Sequence, residues 1–289
     1  MSRARAIAYL VFAGVLWSTS GLILKSVPSV HWLMVAGLRS LFATIIFLPG
    51  LARRRPPVGQ LVGAIICYVV VVSALMGSMQ LGTAAQGIWL QYIAPAIVAV
   101  YAWLIQRHPI RPLEAAAVLL TMVAVALIVT GGRGVAHIHS VELGLVSGLA
   151  FGAFILLLKA MSETPPESIF VWTNLGTALI VLPVALASGL SLPAAPRELG
   201  LIAVMGVFQL GLAYYFFQWG LARTHAVEAS LIILLEPILN PIWVYLVLGE
   251  LPTPRVILGC ALIAVALVLI AVFPDREQVI TGPPPSPIS

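Results

Sequence analysis

A single glutamate, Glu236, stands inside the long apolar run LIILLEPILNPIWVYLVL. At a helical rise of about 1.5 Å per residue it lies about 15 Å from either end of its segment. A charge at that depth in hydrocarbon costs at least about 2.5–3.5 kcal/mol, so the side chain is expected to face a bundle interior or a wet cavity. Arg39 is the matching cation, about 12 Å inside its own apolar run (GLRSLFA). Its planar fork suits a carboxylate, and pairing with Glu236 is the other option. Two chemistries follow: contact with a solute or proton, or a structural pair that holds a broken helix. Lys25 stands at a segment end, where it can snorkel to an interface with no further role.

Enzyme chemistry finds little here. His137 and His139, with Glu142, form a thin cluster on an expected outer loop. Cys67 and Cys260 lie within apolar segments and lack metal-ligand spacing. No catalytic residue, metal or cofactor is expected. A multi-span lipid-modifying enzyme is the remotest reading.

Polar aromatic and amide side chains add a second layer. Trp17 and Ser18 stand together, as do Trp89, Gln91 and Tyr92, with Trp89 and Tyr92 on one helical face. Trp172 and Asn174 lie on a later segment, followed by Gln209, Tyr214, Tyr215, Gln218 and Trp219. Walls of this kind suit amphipathic organic solutes. Trp32, Trp103 and Trp219 fall near segment ends and read as an interfacial belt. Pro95, Pro237 and Pro241 lie inside segments, where each frees a carbonyl and bends a helix. Pro237 and Pro241 bracket Asn240 and follow Glu236, so Asn240 joins the expected site. Irregular backbone at membrane depth survives only beside protein or a wet cavity.

What must position these residues is set by composition. Of 289 residues 61% are hydrophobic and 9% charged, with mean hydropathy +1.08. A soluble domain carries about 25% charged residues. The expectation is an all-α, multi-pass integral membrane protein in contact with lipid, with no room for a soluble catalytic domain. The net charge of +5 is gathered between apolar segments, as an orientation signal, so no nucleic-acid partner is expected. No GxxxxGK[ST] loop occurs, so no P-loop motor is expected.

A crossing helix needs about 20 apolar residues. Ten such runs lie near 5–25, 31–50, 60–81, 84–105, 113–131, 142–161, 167–188, 198–221, 226–248 and 255–273. Arg3, Arg5, Arg53, Arg54, Arg55, Arg107, Arg111, Lys159, Arg223 and Arg276 fall on one side, against Arg133, Arg197 and Arg255 on the other. The positive side is cytoplasmic, so both termini are expected inside a bacterial inner membrane. The run after Arg3 and Arg5 continues to Lys25 and is read as a retained helix rather than a signal peptide.

The chain also repeats itself loosely. GVLWSTSGLILK (14–25) matches GLAFGAFILLLK (148–159), and LQYIAPAIVAVYAW (90–103) matches ILLEPILNPIWVY (233–245), with Pro95 over Pro237. Five helices per half force the halves to enter from opposite sides, an inverted repeat. The expected division is 1–136, 137–274 and a disordered cytoplasmic tail at 275–289. Gly144, Gly148 and Gly152 recur at four-residue spacing, which lets helices approach closely.

These features together resemble the EamA branch of the drug/metabolite transporter superfamily. The resemblance rests on the tryptophan of GVLWSTSGLILK, the arginine of GLRSLFA and the late LLEPILNPIWVYLVLGELPTPRVILGCALI, and it spans about 5–273. The aromatic-rich helices look most like the YddG-type exporters of aromatic amino acids and other metabolites. The first half departs from the pattern: Ala94 precedes Pro95, and Arg107–His108 stands where the second half has Gly249–Glu250. The resemblance implies a secondary transporter exporting amino acids and related small organic metabolites by alternating access. Efflux of lipophilic cations, with Glu236 as counter-charge, is the alternative. Expected solute contacts are Trp17, Ser18, Arg39, Trp89, Gln91, Tyr92, Asn174, Tyr214, Tyr215, Gln218, Glu236 and Asn240, with Pro95, Pro237 and Pro241 as kinks.

Overall fold

The computed structural model describes residues 3–105, 107, 112–132, 134–221, 224, 229 and 232–272. The expected tail, together with Arg111, Arg133, Arg223 and Arg276, lies outside the described residues. The described chain is helical, with no strand. Its elements are α1 (Arg3–Ser18), α2 (Ser20–Lys25), α3 (Trp32–Phe47), α4 (Val58–Leu81), α5 (Ala84–Gln91), α6 (Ala94–Leu104), α7 (Pro112–Val129), α8 (Val135–Ala160), α9 (Pro166–Ala187), α10 (Pro196–Val204) and α11 (Ala213–Leu221). Two further helices, Leu235–Leu248 and Pro254–Val272, follow.

Helix ends obey local chemistry. Pro112, Pro166, Pro196 and Pro254 open helices at a position whose N–H would have no intrahelical partner. Thr83 caps α5 by accepting from Gln86 N. His31 caps α3, its Nδ1 accepting from Leu33 N at 3.2 Å. Gly249 closes the Leu235–Leu248 helix at φ 70°, with its N–H donating to Tyr245 O at 2.9 Å.

Seven described helical runs are long and apolar enough to cross a membrane. Three shorter apolar helices, Ala115–Val129, Leu235–Leu248 and Pro254–Leu269, add to them. The sequence-based limits hold within a few residues except at the expected start of the ninth run at 226, which lies outside the described residues, and at α8, which begins at Val135. His137 and His139 therefore sit on the first turns of a helix and not on a loop.

The expected mid-helix positions of Pro95, Pro237 and Glu236 are corrected by the structure. The fourth apolar run breaks at Tyr92 and Ile93, and Pro95 falls in the first turn of the resumed helix α6. The ninth breaks at Leu234, so Pro237 and Glu236 both occupy the first turn of Leu235–Leu248. In each case proline stands where its missing donor costs nothing, and the break falls just before it. Pro241 does lie inside its helix.

Packing joins early elements to late ones. Helix α4 lies against α8 and α9, and α3 against α9 and a π-helical stretch, Met205–Leu212. Helix α1 lies against α11 and Leu235–Leu248, α5 against α8, and α7 against Pro254–Val272. Gly144 and Gly148 allow the α8–α5 approach, because a Cβ on either would come within 2.7 Å of Leu90 or Ile93 atoms. Apolar side chains cover the outer faces, among them Leu119, Met122, Leu179 and Leu246.

Candidate functional site

The two helix breaks face each other. Tyr92 caps α5 at the first break, and its Oη donates to Glu236 Oε2 at 2.8 Å, just past the second. A hydrogen bond to a charged group contributes about 1.5–3 kcal/mol. Trp89 stands beside Tyr92, ring centroids 6.2 Å apart, and is almost fully buried.

A polar seam runs from this point along the first span. Asn240 Nδ2 donates to Ser20 Oγ at 2.9 Å, and Trp243 Nε1 donates to Ser18 Oγ at 2.9 Å. Gln209, on the π-helical stretch, donates to Trp17 O at 3.1 Å. Trp17 itself packs on Phe217, centroids 5.3 Å apart. A widened π turn inside an α-helix frequently marks a functional position. Gly21 is required where Asn240 crosses, since a Cβ there would collide with Asn240 Oδ1.

Arg39 is buried on α3, 6% exposed. Its Nη1 approaches Met76 Sδ at 3.8 Å, and its Nε is buried without a hydrogen-bond partner among the described residues. No ion pair joins it to Glu236 among the described residues, although the two charges interact electrostatically. Gln209 Oε1, Asn174 Oδ1 and Asn240 Oδ1 are likewise buried and unpartnered. Each such atom costs about 1–3 kcal/mol.

The other expected residues gather elsewhere. Tyr214 and Tyr215 pack on Phe47 and, for Tyr214, on Phe170 at 3.9 Å between centroids. Tyr215 Oη donates to Ile46 O at 3.3 Å, and Gln218 buries its side-chain amide within electrostatic reach of Tyr214. Asn174 Nδ2 bonds Phe170 O within its own helix. Gln91 turns the other way, its Nε2 3.2 Å from Ser147 Oγ, which in turn donates to Val71 O.

Three contributors are absent from the expected set. Trp243 and Ser20 bracket the seam, and Tyr68 lies in electrostatic reach of Arg39. A helical count from Glu236 would have placed Asn240 and Trp243 near its face. Tyr68, buried in the core, is the one tyrosine of α4.

A separate ionic cluster lies at one end of the bundle. Lys25 Nζ is 2.9 Å from Glu250 Oε2 and donates to Gly82 O at 2.6 Å. Glu250 Oε1 accepts from Ala84 N at 2.8 Å. Gly249 makes this possible, because its left-handed turn directs the chain back toward α2 and α5. His139 and Glu142 meet at 2.9 Å on the surface, and no group of three or more His, Cys, Asp or Glu among the described residues could hold a metal.

The described geometry is that of an all-helical membrane protein with two broken helices in contact. The EamA-like transporter family matches residues 4–130 and 140–272, and the chain belongs to that family. It is 26% identical over 187 residues to an uncharacterized transporter, YwfM, of Bacillus subtilis (strain 168), covering 64% of this chain and 63% of that protein. It is 22% identical over 224 residues to human solute carrier family 35 member G1, covering 70% of this chain and 61% of the relative. The matches thus span a little under two thirds of each relative's length. One solved protein crystal structure shares the fold, with TM-score 0.66 at 18% identity, covering 96% of this chain and 100% of that one.

Proposed function

We propose that the chain is a secondary transporter that exports amino acids and related small organic metabolites across a bacterial inner membrane by alternating access. Its ten apolar segments form two inverted five-helix repeats, with both termini cytoplasmic. The observation that carries this reading is the Tyr92–Glu236 contact, where the broken helices of the two halves meet. Discontinuous helices facing each other near mid-membrane are where transporters of this architecture hold solutes.

The packing supports the repeat. Moving each partner five segments along the chain exchanges α4–α8 with α11–α1. It exchanges α5–α8 with the contact of Leu235–Leu248 on α1, and α4–α9 with the π-helical stretch on α3. The pairs α3–α9 and α7 with Pro254–Val272 map onto themselves. Backbone agrees: Arg107, at the repeat position of Gly249, also adopts positive φ, 57° against 70°. An L-residue there costs roughly 1–2 kcal/mol.

An organic-cation cargo is the second reading, favoured by Glu236, whose carboxylate forms no ion pair with Arg39. Proteoliposomes loaded with a panel of amino acids and cationic dyes, with and without a pH gradient, separate the two. Movement of amino acids is the expected result. Movement of dyes alone would replace it with the second reading.

A further inference from the structure

We infer that Arg39 and Glu236 are the two poles of a zwitterion site, with the guanidinium taking the carboxylate of an α-amino acid and Glu236 taking its ammonium group. The inference rests on the amino-acid reading above and specifies what the site recognises.

Arg39 is a permanent charge buried with an unpartnered Nε and a thioether as its recorded acceptor. A guanidinium taken out of water without a counter-ion is strongly unfavourable unless something else satisfies it. Tyr68 lies in electrostatic reach, but no carboxylate pairs with the guanidinium among the described residues. Gly206 of the π-helical stretch is pressed against the Arg39 backbone, where a Cβ would lie 2.5 Å from Arg39 O. Gln209, three residues on, points its amide nitrogen at Trp17 O and leaves Oε1 unused. Helix α3 therefore presents a buried guanidinium whose Nε finds no acceptor among the described residues.

Glu236 is the opposite pole. Its Oε2 is held by Tyr92, which orients the carboxylate at the helix break. Arg39 and Glu236 couple electrostatically but make no ion pair. A site that keeps one charge of each sign apart suits a ligand carrying both on one carbon. Arg39 would repel an organic cation and Glu236 an organic anion, so each pole also excludes one competitor. The planar guanidinium matches a carboxylate in two-point geometry, which a lysine would not reproduce.

The test is thermal stabilisation of the purified full chain in detergent. The probes are L-phenylalanine, L-methionine and L-threonine, each with its methyl ester and its desamino acid. The amino acid that stabilises most is expected to bind at least about tenfold more tightly than its ester and its desamino form. Arg39→Lys should abolish discrimination against the ester, and Glu236→Gln discrimination against the desamino acid. Should Arg39→Lys fail to fold, the wild-type analogue series decides alone. An ester that binds as well as its parent overturns the Arg39 contact, and an equal desamino acid overturns the Glu236 contact. Stabilisation by none of the three amino acids overturns the amino-acid reading itself.

Discussion

Lys25 and Glu250 form an ion pair at 2.9 Å that ties the end of the first apolar span to the turn after the Leu235–Leu248 helix. The same two side chains clamp the α4–α5 turn, through Gly82 O and Ala84 N. Three connections are thus held by one part-buried pair. In the proposed repeat, His108, after Arg107, stands at the position of Glu250, so the sequence places no acid there to pair with Lys159.

That asymmetry predicts a one-sided latch. Glu250→Gln is expected to keep a folded protein and open the end of the bundle at Lys25. Accessibility of a cysteine at the buried Ala84, on a background lacking Cys67 and Cys260, should rise several-fold, and Lys25→Met should do the same. The double variant should add little to either single change, as coupled neighbours do. Unchanged labelling in both variants would remove the latch.

Orientation is tested by labelling. Gly59, at the start of α4, is expected inside and Ala136 outside, from the ten-to-three bias of basic residues. Both positions are exposed, and nothing lies within 4 Å of a Cβ at Gly59. With Cys67 and Cys260 removed, an impermeant thiol reagent should reach Ala136→Cys and not Gly59→Cys in intact cells. The reverse pattern overturns the orientation.

How far the sequence carried the fold is visible in single residues. Apolar runs bounded by Pro112, Pro166, Pro196 and Gly249 gave helices at their expected places because those residues act locally. Glu236 and Tyr92 were legible as polar groups at depth, yet their contact was not, since it joins residues of distant segments. Glu236 was misplaced within its helix because hydropathy does not register a break at Leu234. Lys25 looked like a snorkelling residue for a similar reason: its partner, Glu250, is defined by the turn at Gly249. The π-helical stretch around Gln209 has no hydropathy signal.

His31 gives a pH prediction. Burial lowers its pKa from the usual 6.5, and its neutral Nδ1 accepts the capping bond from Leu33 N. The folded state therefore binds fewer protons than the unfolded state, so stability rises with pH. The contribution is complete above the ordinary histidine range and is lost as pH falls below about 6.5. The apparent Tm should drop between pH 7.5 and 5.5 by more in the natural protein than in His31→Asn, which caps without titrating. Equal slopes would show that His31 does not titrate in this role.

Ring contacts separate wall from belt. Trp17→Ala removes the ring that packs on Phe217 while leaving its carbonyl for Gln209. It is expected to cut transport with folded yield largely kept. Trp103→Ala, at an exposed segment end, should change neither. Similar losses in both variants would make Trp17 a packing residue.

The last prediction concerns the contact between the broken helices. Tyr92→Phe keeps the ring beside Trp89 and deletes only the donor to Glu236. Losing a hydrogen bond to a charged group costs about 1.5–3 kcal/mol, enough to lower transport about tenfold or more if the contact holds the solute-binding arrangement. Glu236→Gln can still accept from Tyr92 but carries no charge. If charge at the break matters, it should reduce transport partly and flatten its pH dependence, with the protein still folded. Arg39→Ala removes both a buried cation and packing along its stem, so it should harm yield or transport more than either. The comparison is decisive because the two conservative variants divide the contact into its parts. Wild-type transport and pH dependence in Glu236→Gln would leave Tyr92–Glu236 as a structural bond. Wild-type transport in Tyr92→Phe as well would move the solute path away from the helix breaks.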